Sequence, residues 1–579
     1  MRQAFLLFTL AFLLFNSCKK DKLDVTYDNR QITDARKPSA ARIINLSGFN
    51  QVIVNGDSLT GFIVRDPESP DFYKYPGTPY FPEDGQLGKV WNMPLDLFEA
   101  GEKADVKITA LNYQGLFDDD ITFTAANDGD NPTDYYLLPS PEHQMDGQPE
   151  MVSVSRGVSA PSRPDHFKVR IINLTGTIKN PGFNASGMQE SLEGLVSLVY
   201  ADGMPVSDET SHISMEERVS EYVELPYGTY QFRVLTADGR QFPAAVSGSD
   251  PYDYRYIDPP TSTMAINLME TTNQIFAPVQ AFMPGGIYTI VVTAQPFNYF
   301  INEMDESVGT LQNAFMVIND NSIPANLTYC RIQGVNALQP QAVTFRANGK
   351  PLPGTPAFGQ PGDYGALVHG NYTLEAIDAS GQVLAEAEHM LRPGQNYTVW
   401  LYPSAEGDPR LLVVANDLSG SWYKGQSLGY TGTAEDDATF NRFEFRFPFL
   451  KRYLNLSPGN PFVTFTLNNG QAESGGTEGA PDVNLQPGQP IAQYPYIRGS
   501  REGQSYEVMA YRSAPDKIPG TWAEDVPILT GSDFIARKAL YENIGRPMPV
   551  HEPGIYTVAL IGPSTTGTET KMIIVKHNK

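Results

Sequence analysis

Few residues in this chain are of a type and spacing that could carry chemistry. Asp118-Asp119-Asp120, Asn127-Asp128-Gly129-Asp130-Asn131 and Glu435-Asp436-Asp437 put loop carboxylates close together. Ca²⁺ takes six to eight such oxygens, but none of these runs has the EF-hand spacing, so each reads as a solvated loop and no metal site is assigned. The histidines at 143, 166, 212, 369, 389, 551 and 577 are dispersed, and no two stand at the His-Glu-x-x-His spacing that binds zinc. There is no Gly-x-Ser-x-Gly elbow and no Gly-x-x-x-x-Gly-Lys-Ser/Thr phosphate loop. No catalytic residue and no cofactor is therefore assigned. Aromatic chemistry is better represented. Tyr73, Tyr75 and Tyr80 fall in the proline-rich stretch 65–91, and Tyr252, Tyr254 and Tyr256 in the stretch 247–263. Tyrosines on surface loops bring contact area at little entropy cost, and their faces stack on sugar rings. The same residues could instead pack each loop onto its own domain, and that reading is the stronger.

The remaining reactive group is Cys18. Ala4 to Phe15 is a twelve-residue apolar run after Arg2, shorter than the roughly 20 residues that span a bilayer. It fits the apolar core of a secretory signal. Its end, Phe15-Asn16-Ser17-Cys18, resembles a bacterial lipoprotein signal, which implies cleavage after Ser17 and a lipid on Cys18. Residues 1–17 then form the signal peptide and 18–39 a flexible polar tether. The start resembles lipoproteins of Bacteroidota, which implies the outer membrane and the cell surface. Lysines interrupt the acidic run that marks surface export in such proteins, so the periplasmic face stays open.

The 579 residues carry 42 Lys and Arg against 66 Asp and Glu, a net charge of −24. That balance argues against a nucleic-acid binder, which needs a basic face. With 41% hydrophobic and 19% charged residues the chain is globular, and its length implies roughly three to five domains. Abundant Gly, Pro, Tyr and Phe suit short strands joined by turns.

One pattern recurs four times. Its head is Ala41-Arg42-Ile43-Ile44-Asn45-Leu46, then Val169-Arg170-Ile171-Ile172-Asn173-Leu174, then a degraded Cys330-Arg331-Ile332-Gln333-Gly334-Val335-Asn336, then Lys451-Arg452-Tyr453-Leu454-Asn455-Leu456. An alternating strand follows and ends in Asn55-Gly56, Asn348-Gly349 or Asn469-Gly470, the mark of a tight hairpin. A Gly-x-Tyr strand (Gly228 to Tyr230, Gly370 to Tyr372) and a Pro-Gly-x-x-Tyr strand or its close relative (Pro284, Pro393, Pro553) complete each copy. Such an order predicts antiparallel β-sandwiches. It resembles a tandem immunoglobulin-like domain of unknown function found in extracytoplasmic bacterial proteins. The resemblance implies an all-β fold of tandem immunoglobulin-like sandwiches, an envelope role and no catalytic residues.

The expected domains are 40–162 and 165–322, each with an insertion, a compact 326–419, and a divergent 420–579. The third should fold alone, with Tyr397 and Val399 in its core. Arg42, Arg170, Arg331 and Arg452 read as an outward ladder or packing residues. Phe443 to Phe449 predicts a half-buried strand, and Ser532 to Tyr541 a helix capped by Ser532. The expected function is that of a non-catalytic, lipid-anchored spacer and interaction protein. The other reading is a glycan-binding accessory of an outer-membrane nutrient-uptake system. Its partners are then the membrane through Cys18, and glycans or another envelope protein.

Overall fold

The structure, a computed structural model, describes residues 36–579 except 65–72, 99–101, 113–114, 117–119, 139–144, 147–148, 179–191, 245–255, 258–277, 301–306, 323–324, 339–340, 417, 419–420, 424–441, 445–448, 475–478, 492–494, 499–504, 543–547 and 564–568. The signal, Cys18 and nearly all of the tether lie outside the described residues. Regular structure is almost entirely strand, and the sheets stack as tandem sandwiches. The chain divides into two compact units: the segments up to Asn45 and Phe49–Tyr135, and Leu46–Gly48 with Tyr136–Lys579.

In the first unit the head strand Pro38–Asn45 runs antiparallel to Val90–Pro94, with Arg42 opposite Asn92. A second sheet orders Ile121–Ala126, Lys103–Thr109, Gln51–Val54 and Asp57–Ser58. Asn55 and Gly56, at φ 53° and 89°, make the hairpin with two successive positive φ angles, which is why that dipeptide stands there.

The second unit holds three sandwiches on one plan, clearest in the third. Its head strand Tyr329–Asn336 lies between Gly365–Val368 and Asn396–Pro403, and Pro409–Asn416 forms the far edge. The facing sheet orders Lys350–Pro351, Thr344–Ala347, Gly370–Ile377 and Val383–Leu391. One pairing departs from the expected antiparallel plan. The head strand runs parallel to the Pro-Gly-x-x-Tyr strand, with Gln333 opposite Thr398. The second and fourth sandwiches repeat this, His166–Leu174 beside Ile287–Phe300 and Phe449–Asn455 beside Gly554–Ile561. Parallel neighbours need a long connection, and nearly the whole sandwich between the two strands supplies it.

The tyrosines fix the turns. Tyr230 and Tyr372 donate their hydroxyls to the carbonyls four residues back, Pro226 at 2.6 Å and Val368 at 2.8 Å. Such a bond ties a strand to the corner that precedes it. Tyr397 and Val399 are buried on the inner face, as alternation predicts, with Cys330, Ile332, Phe345 and Leu374. The Tyr397 hydroxyl accepts from the Arg392 amide at 3.0 Å. The thiol of Cys330 is a core group, and burial pushes it up to about 12.

Two expectations are corrected. The third sandwich is not self-contained: Val335, Ala337, Trp400 and Val414 point away from its own core. They pack on Leu454, Leu456, Ala559, Ile561, Ile573 and Val575 of the fourth sandwich. Residue by residue the strand Asn396–Pro403 is buried on both faces. The helix over Ser532 to Tyr541 is instead a 3₁₀ turn Gly531–Phe534 and a one-turn helix Ala539–Glu542. Its cap is Thr530, in a reciprocal capping box with Asp533, which wins because Asp533 stands three residues after Thr530. The phenylalanine run is described only at its two ends. Arg442–Glu444 pairs with Ser421–Tyr423, residues 445–448 lie outside the described residues, and buried Phe449 opens the head strand.

Candidate functional site

The buried polar groups converge on the joints between sandwiches. The head-strand arginines come first. Arg42 donates from Nε and Nη2 to the two carboxylate oxygens of Asp134 at 2.8 and 2.5 Å, inside the first unit. Arg170 donates to Thr289 Oγ1 at 3.0 Å and to the Ser155 carbonyl at 2.8 Å, with its guanidinium 4.6 Å from the Tyr222 ring centre. Arg452 donates to the Ala415 carbonyl at 2.7 Å, to Asn416 Oδ1 and to Thr557 Oγ1 at 3.2 Å. It thus bonds the closing strand of the third sandwich from the head strand of the fourth.

These arginines, with Arg331, are all buried, so the outward ladder is wrong. Each sits where the head strand meets a neighbour, and each is held there by backbone or side-chain oxygens or by an aromatic face. The repeat alignment also shifts in the third copy. Asn173 and Asn455 each spend their side-chain amide on two backbone carbonyls, Gly194 and Ile213, and Asn460 and Leu485. Asn336 does the same with Gln341 and Pro356. The position three residues before it is Gln333, not Arg331, and Gln333 donates to Thr398 Oγ1 at 3.1 Å. Arg331 instead lies 4.6 Å from the ring centre of Tyr364 and 5.9 Å from that of Tyr227 in the second sandwich.

A second joint links the second and fourth sandwiches. Arg233 Nη2 is 2.6 Å from Glu552 Oε1, with both side chains essentially unexposed. Arg233 Nη1 reaches Tyr541 Oη at 3.0 Å and Gln241 Oε1 at 2.8 Å. Tyr541 donates to Glu552 Oε1 at 2.7 Å, and the Ala536 amide to Glu552 Oε2 at 3.0 Å. Burial alone would raise the Glu552 carboxyl. Arg233 and Lys576 beside it outweigh that and hold it below the usual range. Burial in turn draws the Lys576 amine down to about 8.

Residues 576–579 close the seam. The Gln231 amide donates to the Lys579 carbonyl at 2.7 Å, and the Lys579 amide to the Thr229 carbonyl at 3.0 Å. Gln231 Oε1 accepts from Lys576 Nζ at 3.0 Å. His577 faces the third sandwich. Its Nε2 is 2.7 Å from Thr557 Oγ1, and its Nδ1 is 3.0 Å from the Tyr364 hydroxyl and 3.3 Å from Gln333 Nε2. Two donors on Nδ1 assign the neutral tautomer with the proton on Nε2. Burial first, and then Arg452, hold its pKa well below the ordinary imidazole value.

The residues singled out from sequence are only partly in view. Cys18, Tyr252 and Tyr254 lie outside the described residues. Tyr73 belongs to the short strand Tyr73–Lys74, paired with Ile63–Val64, and Tyr256 to Tyr256–Ile257, which runs parallel beside Asn298 and Tyr299. Tyr75 is half-buried, its hydroxyl 3.4 Å from Asn50 Nδ2. Tyr80 is half-buried, with the Arg36 guanidinium 3.8 Å above its ring. The described part of their loop is tied to its own domain. Thr78 Oγ1 donates to the Leu59 carbonyl at 2.6 Å, and Phe81 packs 5.1 Å from the Trp91 ring. Among the acidic runs, Asp120 pairs with Lys107, while Asp118, Asp119 and Glu435 to Asp437 lie outside the described residues. Asp128 Oδ1 accepts from the amides of Asp130 and Asn131. Among the described residues no group of three or more His, Cys, Asp or Glu could hold a metal ion. Sequence reading missed Arg233, Glu552, Tyr541 and His577. Alternation puts Arg233 on the face opposite Phe232 and Val234, so no local signal marked its burial against Glu552.

No family model matches the chain, and no curated protein matches it. Among solved structures it is similar to the Bacillus anthracis TIE protein, at 10% identity and a TM-score of 0.09, over 63% of this chain and 50% of that one. The chain thus spans half the length of that protein, and at such a score the likeness carries no argument.

The buried histidines give the fold a pH dependence. His551 stacks 3.5 Å from Phe449, and burial first, then Lys451, lower its pKa to about 3. An unfolded chain takes up protons on both His551 and His577 below about 6.5, while the folded chain does not. Stability should therefore be full above about pH 6.5 and fall below it by about 1.4 kcal/mol per pH unit for each histidine. Urea denaturation at pH 7.5 and 5.0 measures this. His551→Phe, which keeps a ring on Phe449, should lose one of the two contributions. An equal acid loss in that variant would contradict the assignment.

Proposed function

We propose that the chain is a non-catalytic, lipid-anchored protein of the cell envelope. A lipid on Cys18 holds it to the outer membrane, on the cell surface in this reading, and its tandem β-sandwiches serve as spacer and interaction modules. The observation that carries the proposal is the inward turn of its polar chemistry. Arg170, Arg233, Arg452, Glu552 and His577 are all buried, and their hydrogen bonds go to other parts of the chain. Groups spent in that way hold one sandwich against the next and are out of reach of a substrate. Removing Cys18 tests the anchor. Cys18→Ala should abolish labelling by a fatty-acid analogue and release the protein from the membrane fraction. A variant that keeps both label and membrane attachment would refute the lipid.

The second reading is a glycan-binding accessory of an outer-membrane nutrient-uptake system. The half-exposed rings of Tyr75 and Tyr80 on a structured loop favour it, and Arg36 on the Tyr80 face works against it. A glycan array on residues 19–579 separates the two. The spacer reading predicts no saturable binding. Saturable binding lost on Tyr75→Ala with Tyr80→Ala, or when Tyr252, Tyr254 and Tyr256 become Ala, would establish the second reading in its place.

A further inference from the structure

The fourth sandwich buries an amine against a carboxyl with no hydrogen bond between the two facing atoms. Lys451 lies on the head strand Phe449–Asn455, and Glu473 on the segment after the strand Val463–Leu467. Their side chains are 1% and 6% exposed, and Nζ stands 2.7 Å from Glu473 Oε1. The approach lacks hydrogen-bond geometry, and neither atom has another partner. An ammonium carries three donors, so this one leaves all three unmet. The contrast with Glu552 is direct, since there both carboxylate oxygens accept hydrogen bonds.

The surroundings hold these two groups together. The ring centres of Tyr506, Phe449, Tyr453 and Phe534 lie 5.1, 5.5, 5.9 and 6.0 Å from Nζ. Such faces attract the ammonium as the strand docks and then exclude water from it. On the other side, Asp482 Oδ2 accepts from the amides of Glu473 and Ser474 at 3.0 and 3.1 Å, fixing the backbone that carries the carboxyl. The Tyr453 hydroxyl is 2.9 Å from Glu473 Oε2. With no hydrogen bond to the ammonium, a buried ion pair loses much of its advantage over the neutral pair. Passage of one proton from Nζ to the carboxylate leaves a nucleophilic amine beside a neutral acid.

We propose that Lys451 and Glu473 are joined by an amide bond that forms within the folded chain. Nζ attacks Cδ of Glu473, the Nζ–Cδ bond forms, and the Cδ–Oε1 bond breaks. Oε1 leaves as water, carrying the acid proton and one proton from the amine. No electrons are exchanged and no co-reactant is needed. The Tyr453 hydroxyl polarises the Cδ–Oε2 bond that remains as the amide carbonyl. Positioning replaces the activation that a free amine and acid would require. The bond ties the head strand to the segment after the second strand. It stands independently of the anchor and of any ligand.

Mass spectrometry of a tryptic digest of the full chain decides it. Trypsin cuts after Arg446, Arg452 and Arg498 but not after an amidated Lys451. The expected product is peptide 447–452 joined to peptide 453–498, lighter than their sum by one water. Glu473→Ala should release peptide 453–498 and restore cleavage after Lys451. Recovery of 447–451 and 453–498 chiefly as separate peptides from the unaltered chain would overturn the proposal, whatever the variant does.

Discussion

The second unit depends on one buried ion pair. Arg233 and Glu552 are separated by more than three hundred residues of sequence and lie 2.6 Å apart with almost no exposure. Taking two such charges out of water costs several kcal/mol per ion, which their attraction repays only when the remaining hydrogen bonds are also met. Here Tyr541, Gln241 and the Ala536 amide meet most of them. A pair of this kind adds little net stability but tolerates little displacement. Moving the second sandwich away from the fourth would leave a carboxylate buried without its cation. The pair therefore acts as a register device between two sandwiches distant in sequence.

The other joints follow from that constraint. With the second and fourth sandwiches held together, the third is enclosed by both. Trp400 and Val335 pack on the fourth, Arg331 reaches Tyr227 of the second, and Arg452 of the fourth bonds the closing strand of the third. Residues 576–579 then reach both partners, His577 toward Tyr364 and Lys579 toward Thr229. Consecutive small sandwiches normally meet through modest, polar contacts that permit relative motion. Three sandwiches sharing apolar faces and buried polar bonds form one compact unit.

Local features were legible in the sequence. Asn55-Gly56 and Asn348-Gly349 announce hairpins through their own backbone preferences, and Tyr397 and Val399 declare their face by alternation. What depended on distant partners was not. The parallel pairing of the head strand joins residues some sixty or more positions apart, and nothing local encodes its direction. The slip at Arg331 has a simple cause. A shift of two residues along a strand keeps every side chain on its original face, so the apolar pattern fits Arg331 and Gln333 equally. Only the bonds of Asn336 to Gln341 and Pro356 fix the register. Arg233 was hidden because it reads locally as an outward position, and Lys451, between core residues Phe449 and Tyr453, because its partner Glu473 is fixed only by the fold.

The distance between the second and fourth sandwiches tests this account most directly. Spin labels at Glu216→Cys and Lys517→Cys, both exposed positions, can be placed in a Cys18→Ala background because Cys330 is buried. The account predicts one narrow distance distribution in the otherwise unaltered chain. It also predicts that Arg233→Ala, which strands Glu552, broadens the distribution and costs about 3–5 kcal/mol of stability. A broad distribution before any change at Arg233, or a narrow one that survives its removal at no cost in stability, would contradict it.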